Sequence, residues 1–402
     1  MAYYIFFFLS FLGFLQAGSF TTPPTQFPEI GVSLTFTGVT SCYIPSTNQI
    51  FYTWVEKGNQ QQGYYAIYDI QKKAFVELRK ALNISPADGI YCCYNSFDKT
   101  VVFSYVTDND NKLAYGIYDV TSDKITKKTS DLIVSNNVTC CYNQKQNTVV
   151  FGTLDKDNYP ALCTLKDSTL SALSKFSQIK SFKNVYCCSS TDDAKIYFSY
   201  RSLDKFDEEY IGYGAYHDLK QDSSLVDVFV AASVLESVFC TYDSKKKVVF
   251  FSWVYDDNAI DNVKKPAFRI LPALLLSPTI NDPTIISNLR IDSVEATVFS
   301  CTDNSGKLFF SWVGQTGTVY YAVYEKSKFS IPAQPMDPNY IQGFGAYGVY
   351  CCYGSNKVFF SWANKNDQVN GYPWYAIYSV TTTTLKNGIK KFGYMRYQKG
   401  GF

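Results

Sequence analysis

Histidine is almost missing from this 402-residue chain, and His217 is the only one. A single imidazole cannot supply the histidine set that most zinc sites use, and it leaves a proton relay without a second member. His217 follows Tyr216 in a strand-like run, and the adjacent Asp218 falls on the opposite side of such a strand, so His217 reads as a bystander. Catalytic signatures are missing too: there is no G-x-S-x-G elbow, no H-E-x-x-H helix motif and no glycine loop of the phosphate-binding kind. Charge of either sign is not in excess. Lys and Arg number 37 against 35 Asp and Glu, a net charge of +2, which gives no field to draw nucleic acid or an anionic membrane. Only the tail is locally basic, with Lys386, Lys390, Lys391, Arg396 and Lys399, and it reads as a solvated end. Beyond the first twenty residues no apolar run is long enough to cross a bilayer.

Aromatics and cysteines are plentiful: 34 Tyr, 31 Phe and 12 Cys. They are ordered in a repeat. A cassette of three strand-like segments begins at Ile90-Tyr91-Cys92-Cys93-Tyr94, continues in Val101 to Tyr105 and ends in Ala114 to Tyr118. It recurs with the second cysteine, or its replacement, at Cys42, Cys93, Cys141, Cys188, Thr241, Cys301 and Cys352, at intervals of 47 to 60 residues. A fixed period of this size means one supersecondary unit per repeat, stacked on its neighbours. The units are strands, rich in β-branched and aromatic residues with Gly, Asn and Asp between them. Their second strands do not alternate: Lys247 to Trp253 and Lys357 to Trp362 are apolar on both faces and need cover on both sides. Radially packed blades provide that cover. The expected fold is all-β, a seven-bladed β-propeller of four-stranded antiparallel blades, with fourth strands from segments such as Ala74 to Leu78. In the third strands a small residue precedes a usual Tyr by two places, at Ala66, Gly116, Ala161, Gly214, Ala267, Ala322 and Ala376. Cys163 and Arg269 then stand where the Tyr would be.

Residues 1–18 read as a secretory signal peptide, because Tyr3 to Leu15 is almost wholly apolar and precedes small residues; an uncleaved anchor is the alternative. Residues 19–34 are a Pro/Thr-rich leader with a candidate ring-closing strand at Glu29 to Phe36, for which Leu385 to Tyr397 competes. Residues 35–402 are the propeller. Asn83-Ile84-Ser85 and Asn137-Val138-Thr139 are N-glycosylation sequons, placed just before first strands on the same face of the ring.

Twelve cysteines behind a signal sequence suggest disulfides. Neighbouring residues of a strand face opposite ways, so each Cys-Cys pair offers one sulfur to each adjacent blade. If the first cysteine of a blade bonds the second of the blade before it, the links are Cys42–Cys92, Cys93–Cys140, Cys141–Cys187, Cys188–Cys240 and Cys301–Cys351. Under that rule Ser300 faces Thr241, so both halves of one bond are absent together, and Cys352 faces Ser41. The reverse rule makes four pairs and strands three cysteines. Cys163 and Cys352 are left as free thiols. Each staple closes a loop of about fifty residues, worth roughly 3–4 kcal/mol in the chain-entropy model. Adjacent cysteines cannot turn both sulfurs to one zinc ion, so no metal is expected.

Five arginines, Arg79, Arg201, Arg269, Arg290 and Arg396, sit at unrelated repeat positions and make no three-arginine clamp of the propeller-sialidase kind. The turns Asp108 to Asn111, Asp155 to Asn158, Asp256 to Asn258 and Asn364 to Asp367 have the oxygen-rich composition calcium uses, although hairpins favour the same residues for backbone reasons. Trp54, Trp253, Trp312 and Trp362, with Tyr105 and Tyr200, close the second strands. They are the candidate ligand-binding residues, as platforms for sugar rings; filling the space between blades is their other reading.

Through its Cys-Cys-Tyr, Phe-Ser-Trp and Tyr-Ala-Ile-Tyr elements, residues 35 to 402 resemble the secreted seven-bladed propeller proteins, several of which are lectins. The resemblance implies an extracellular, non-catalytic protein that binds glycans or glycoproteins multivalently. It carries over no binding residue. A rigid extracellular scaffold for proteins is the alternative, and an extracellular hydrolase comes third.

Overall fold

The computed structural model describes residues 18–28, 38–57, 61–181, 183–206, 209–257, 263–273, 283–288, 291, 297–314, 317–336, 346–366 and 370–380. The signal segment to residue 17, both expected ring-closing segments, Arg290 and the basic tail lie outside them. Among the described residues all elements are strands, in seven antiparallel sheets, and in six of these the order follows the chain from the innermost strand outward. The first blade is typical: Thr40–Ile44, Gln49–Lys57, Gln61–Asp69 and Ala74–Ala81. In the third blade the outer strand is split into Thr169–Leu170 and Ser174–Lys175, both paired to Pro160–Lys166. Among the described residues no helix is long and apolar enough to cross a membrane.

The ring is closed by the leader itself. Ser19–Gln26 pairs antiparallel with Asn370–Ser379 and becomes the outer strand of the seventh blade. Pro23 and Pro24 are tolerated there because an edge strand has one row of N–H groups that pairs with nothing. Phe27 follows, 1% exposed, and inserts between blades seven and one against Tyr52, Trp54, Phe75 and Tyr375.

There is no single core. Apolar residues gather into seven clusters, one at each blade-to-blade interface. The non-alternating second strands explain this: Thr148–Leu154 and Leu308–Val313 are buried at every position, as a strand sandwiched between two other blades must be. Here the expectation about the aromatic row is corrected. Trp54, Trp253, Trp312, Trp362, Tyr105 and Tyr200 are 0–4% exposed, inside the inter-blade clusters, and offer no platform to a ligand.

Strand register also corrects the third-strand row. The residue opposite the Phe or Tyr before each Ser/Gly position is Ala66, Gly116, Cys163, Ala215, Arg269, Ala322 and Ala376 in turn. Cys163 and Arg269 therefore occupy the small-residue place, not the tyrosine place. Leu165, His217 and Leu271 take the place that Tyr68 and Tyr118 hold elsewhere.

A hydroxyl belt ties the blades together. Ser104 donates to the Val138 carbonyl at 2.6 Å, Ser199 to Val238 at 2.6 Å, Ser252 to Val298 at 2.7 Å and Ser311 to Val349 at 2.7 Å. Ser361 donates to Val39 at 2.8 Å across the closure. Blade three has Gly152 where the serine should be, and Thr139 from the neighbouring strand supplies the hydroxyl to Val185 at 2.7 Å. A Cβ on Gly152 would lie 3.3 Å from that Thr139 oxygen. Blade one uses Thr40, which donates to Ile90 at 2.6 Å.

Candidate functional site: an axial funnel

The seven first strands surround the axis, and five of them carry an aromatic residue at one shared position: Tyr91, Tyr186, Phe239, Phe299 and Tyr350. Each stands two places before the Cys or Thr that marks its repeat. Their rings meet on the axis. Phe299 and Tyr350 lie 4.0 Å apart between centroids, Phe239 is 5.1 Å from both Tyr186 and Phe299, and Tyr91 is 6.1 Å from Tyr186 and Tyr350. The edge-to-face angles of most of these pairs are those that ring quadrupoles favour. Small Thr40 and Thr139 at the remaining two positions leave room for the five rings to converge.

Above this floor the linkers that lead into blades two, three, four and five bring in polar side chains. Together they line a funnel of about 270 Å³ whose walls include Asp88, Asn137, Lys183, Asn184 and Glu236. The groups form a network. Asn137 Nδ2 donates to Asp88 Oδ2 at 2.7 Å and to Asn184 Oδ1 at 3.1 Å. Asn184 Nδ2 in turn donates to the hydroxyls of Tyr91 (3.1 Å) and Tyr186 (3.2 Å), and Tyr350 donates to Tyr91 at 3.3 Å. Lys183 and Glu236 form an ion pair at 2.7 Å. Burial pushes the pKa of Tyr91, Tyr186 and Tyr350 up, so all three phenols stay neutral donors and acceptors.

One atom of the network is left over. Asn137 is 3% exposed, and its Oδ1 is buried without a hydrogen-bond partner. The same contacts bear on the sequon. A glycan would need Asn137 Nδ2, which is buried and donates to Asp88 and Asn184, so the folded site has no place for one. Asn83, the other sequon, is exposed, in a left-handed backbone conformation of φ 51°.

The remaining sequence candidates are dispersed. His217 is buried at 8%, and its Nδ1 lies 2.8 Å from Ser224 Oγ, directly opposite it in the ladder. Its Nε2 lies 3.4 Å from Asp222, a 96% exposed hairpin carboxylate. Burial lowers its ionisation. A serine, a histidine and a carboxylate do meet here, but as cross-strand neighbours on an open outer hairpin. Arg79 grips Glu56 with two hydrogen bonds of 3.1 and 2.9 Å, and Glu56 also accepts from Trp54. Turn carboxylates serve the backbone: Asp155 accepts from the N–H groups of Asp157 and Tyr159, and Asp119 from those of Thr121 and Ser122. Among the described residues no group of three metal-ligating side chains converges.

Sequence reasoning missed the axial ring, although its signal was there, an aromatic two places before five of the seven anchors. The later rows drew the reading because they hold the tryptophans.

No protein-family model and no curated protein matches the chain. Its fold does match solved structures. Hydrazine synthase from Kuenenia stuttgartiensis is similar at a TM-score of 0.54 and 9% identity, over 86% of this chain and 99% of that one. The polysaccharide lyase Uly1 is similar at 0.52 and 10% identity, over 91% and 93%. The β-propeller domain of the Trilobed protease from Pyrococcus furiosus, described as having an open velcro topology, is similar at 0.50 and 9% identity, over 90% and 100%. At such identities the likeness is one of fold, and the chain is a seven-bladed β-propeller.

Proposed function

We propose that this propeller is a non-catalytic binding protein that holds one neutral saccharide unit in the axial funnel, in an extracellular setting. The observation that carries the reading is the lining of the funnel, which combines aromatic rings with amide, phenol and carboxylate groups on the axis. Sugars are recognised by such a mixture, because a ring packs its C–H face on an aromatic and its hydroxyls both donate and accept. Here the Tyr91, Tyr186 and Tyr350 phenols and the Asp88 carboxylate would partner ligand hydroxyls, with Asn137 holding Asp88 and Asn184 in place. The volume lies at the lower edge of ligand pockets, roughly 300–1,000 Å³, which suits one or two rings and no long chain. This differs from the multivalent binding that the repeat suggests, since the residues repeated in every blade are core.

The protein-scaffold alternative has less to rest on. Exposed large apolar side chains among the described residues are Val76, Phe97, Ile133 and Ile270, spread over blades one, two and five. A glycan array checks the proposal: the chain should retain a narrow set of glycans, and Tyr350→Ala should lose them while melting as a folded propeller. Uniform absence of binding across the array would end the saccharide reading.

A further inference from the structure

The inter-blade sulfurs have a consequence for the covalent structure that does not depend on what the funnel binds. We infer that the belt of cysteines is oxidised across five of the seven blade interfaces and leaves the ring covalently open at two named seams, between blades five and six and between blades seven and one.

At each interface two first-strand positions meet: the repeat anchor of one blade and the preceding residue of the next. Cys42 and Cys92 share one inter-blade cluster, Cys93 and Cys140 another, and the same holds for Cys141 with Cys187, Cys188 with Cys240, and Cys301 with Cys351. In every one of these pairs one thiol lies close enough to the other to push its pKa up. All twelve thiols are free in the structure. At the remaining interfaces the same positions meet without two sulfurs. Thr241 Oγ1 lies 2.9 Å from Ser300 Oγ, and Ser41 Oγ donates to Cys352 Sγ at 3.4 Å. Seven equivalent contacts thus exist, and five hold two thiols.

Each link forms when two thiols give two protons and two electrons to a disulfide donor, such as oxidised glutathione or a disulfide-carrying oxidoreductase, which leaves as two thiols. Burial pushes the pKa of Cys42, Cys140, Cys141, Cys188 and Cys301 up, so little thiolate exists once the blades have packed. Oxidation therefore belongs to folding, before the interfaces close. The product is an arc of blades one to five and a pair, six and seven. The arc and the pair are joined at one seam by a hydroxyl contact. At the other they are joined by the Ser41–Cys352 hydroxyl–thiol contact between innermost strands.

The test refolds the full reduced chain in a glutathione redox buffer, alkylates it after unfolding, and maps peptides without reduction. Five links in the pairing given, with alkyl groups on Cys163 and Cys352 alone, are expected. Twelve alkylated cysteines, or links running the other way such as Cys92–Cys141, would overturn the inference. Ser41→Cys supplies a second readout: a sixth link, from position 41 to Cys352, should appear beside the other five. Five links without the sixth would contradict the register at the blade-seven seam.

Discussion

Serine 252 shows what a single repeated residue does in this protein. It stands in the middle of Phe-Ser-Trp, a motif that reads as a strand, and nothing nearby in sequence shows why a hydroxyl is needed in an apolar run. Its partner, the Val298 carbonyl, lies 46 positions on, in the next blade. Ser252→Ala should leave that buried carbonyl unpaired and cost about 1–3 kcal/mol, read as a lower midpoint in denaturant. Gly116→Ala should cost a similar amount for a steric reason, since a Cβ there would lie 2.0 Å from Phe103 Cζ and a packed interior takes up extra volume at about 1–3 kcal/mol. The small-residue row was legible as a row, but counting back from tyrosine misplaced it in blades three, four and five. The loops before those strands differ in length, and only pairing across the ladder shows that Cys163, Ala215 and Arg269 face the central phenylalanines.

At the scale of the element, the blades were readable because β-branched and aromatic runs, turn residues and period all agreed. The closing strand was not. Ser19–Gln26 has two adjacent prolines and alternates poorly, so by composition it is a leader. What makes it a strand is the free edge of Asn370–Ser379, at the far end of the chain. Phe27 anchors the strand's end, and Phe27→Ala should destabilise the ring by about 3–5 kcal/mol, as large-to-small changes at fully buried aromatics do. Thermal melting checks this; an unchanged midpoint would mean that the N-terminal strand does not close the ring.

For the whole molecule, the distribution of the core makes every interface part of one closed circuit, and tyrosine is its commonest polar component. Burial holds the Tyr105 and Tyr375 phenols up at about 12, above their ordinary value of 10.0. A raised phenol stabilises the fold at any pH below its unfolded value, and that contribution is lost as pH rises towards the folded value. Stability should therefore be flat with respect to these groups at neutral pH and fall from about pH 10 upward. Tyrosinate absorbance should then appear in two steps, exposed rings first and buried rings together with loss of the β-sheet circular dichroism. The candidate site belongs to this scale as well. No single repeat contains it, because five first strands and four linkers must converge on the axis before the funnel exists, and that is why the cassette alone pointed elsewhere.

Stoichiometry tests the functional reading most directly. Titrating a saccharide that the chain retains, by calorimetry, should give one site per chain, with binding lost in Asn137→Ala and kept in Trp253→Phe. Several equivalent sites per chain, or binding that survives Asn137→Ala unchanged, would contradict a ligand held in the axial funnel.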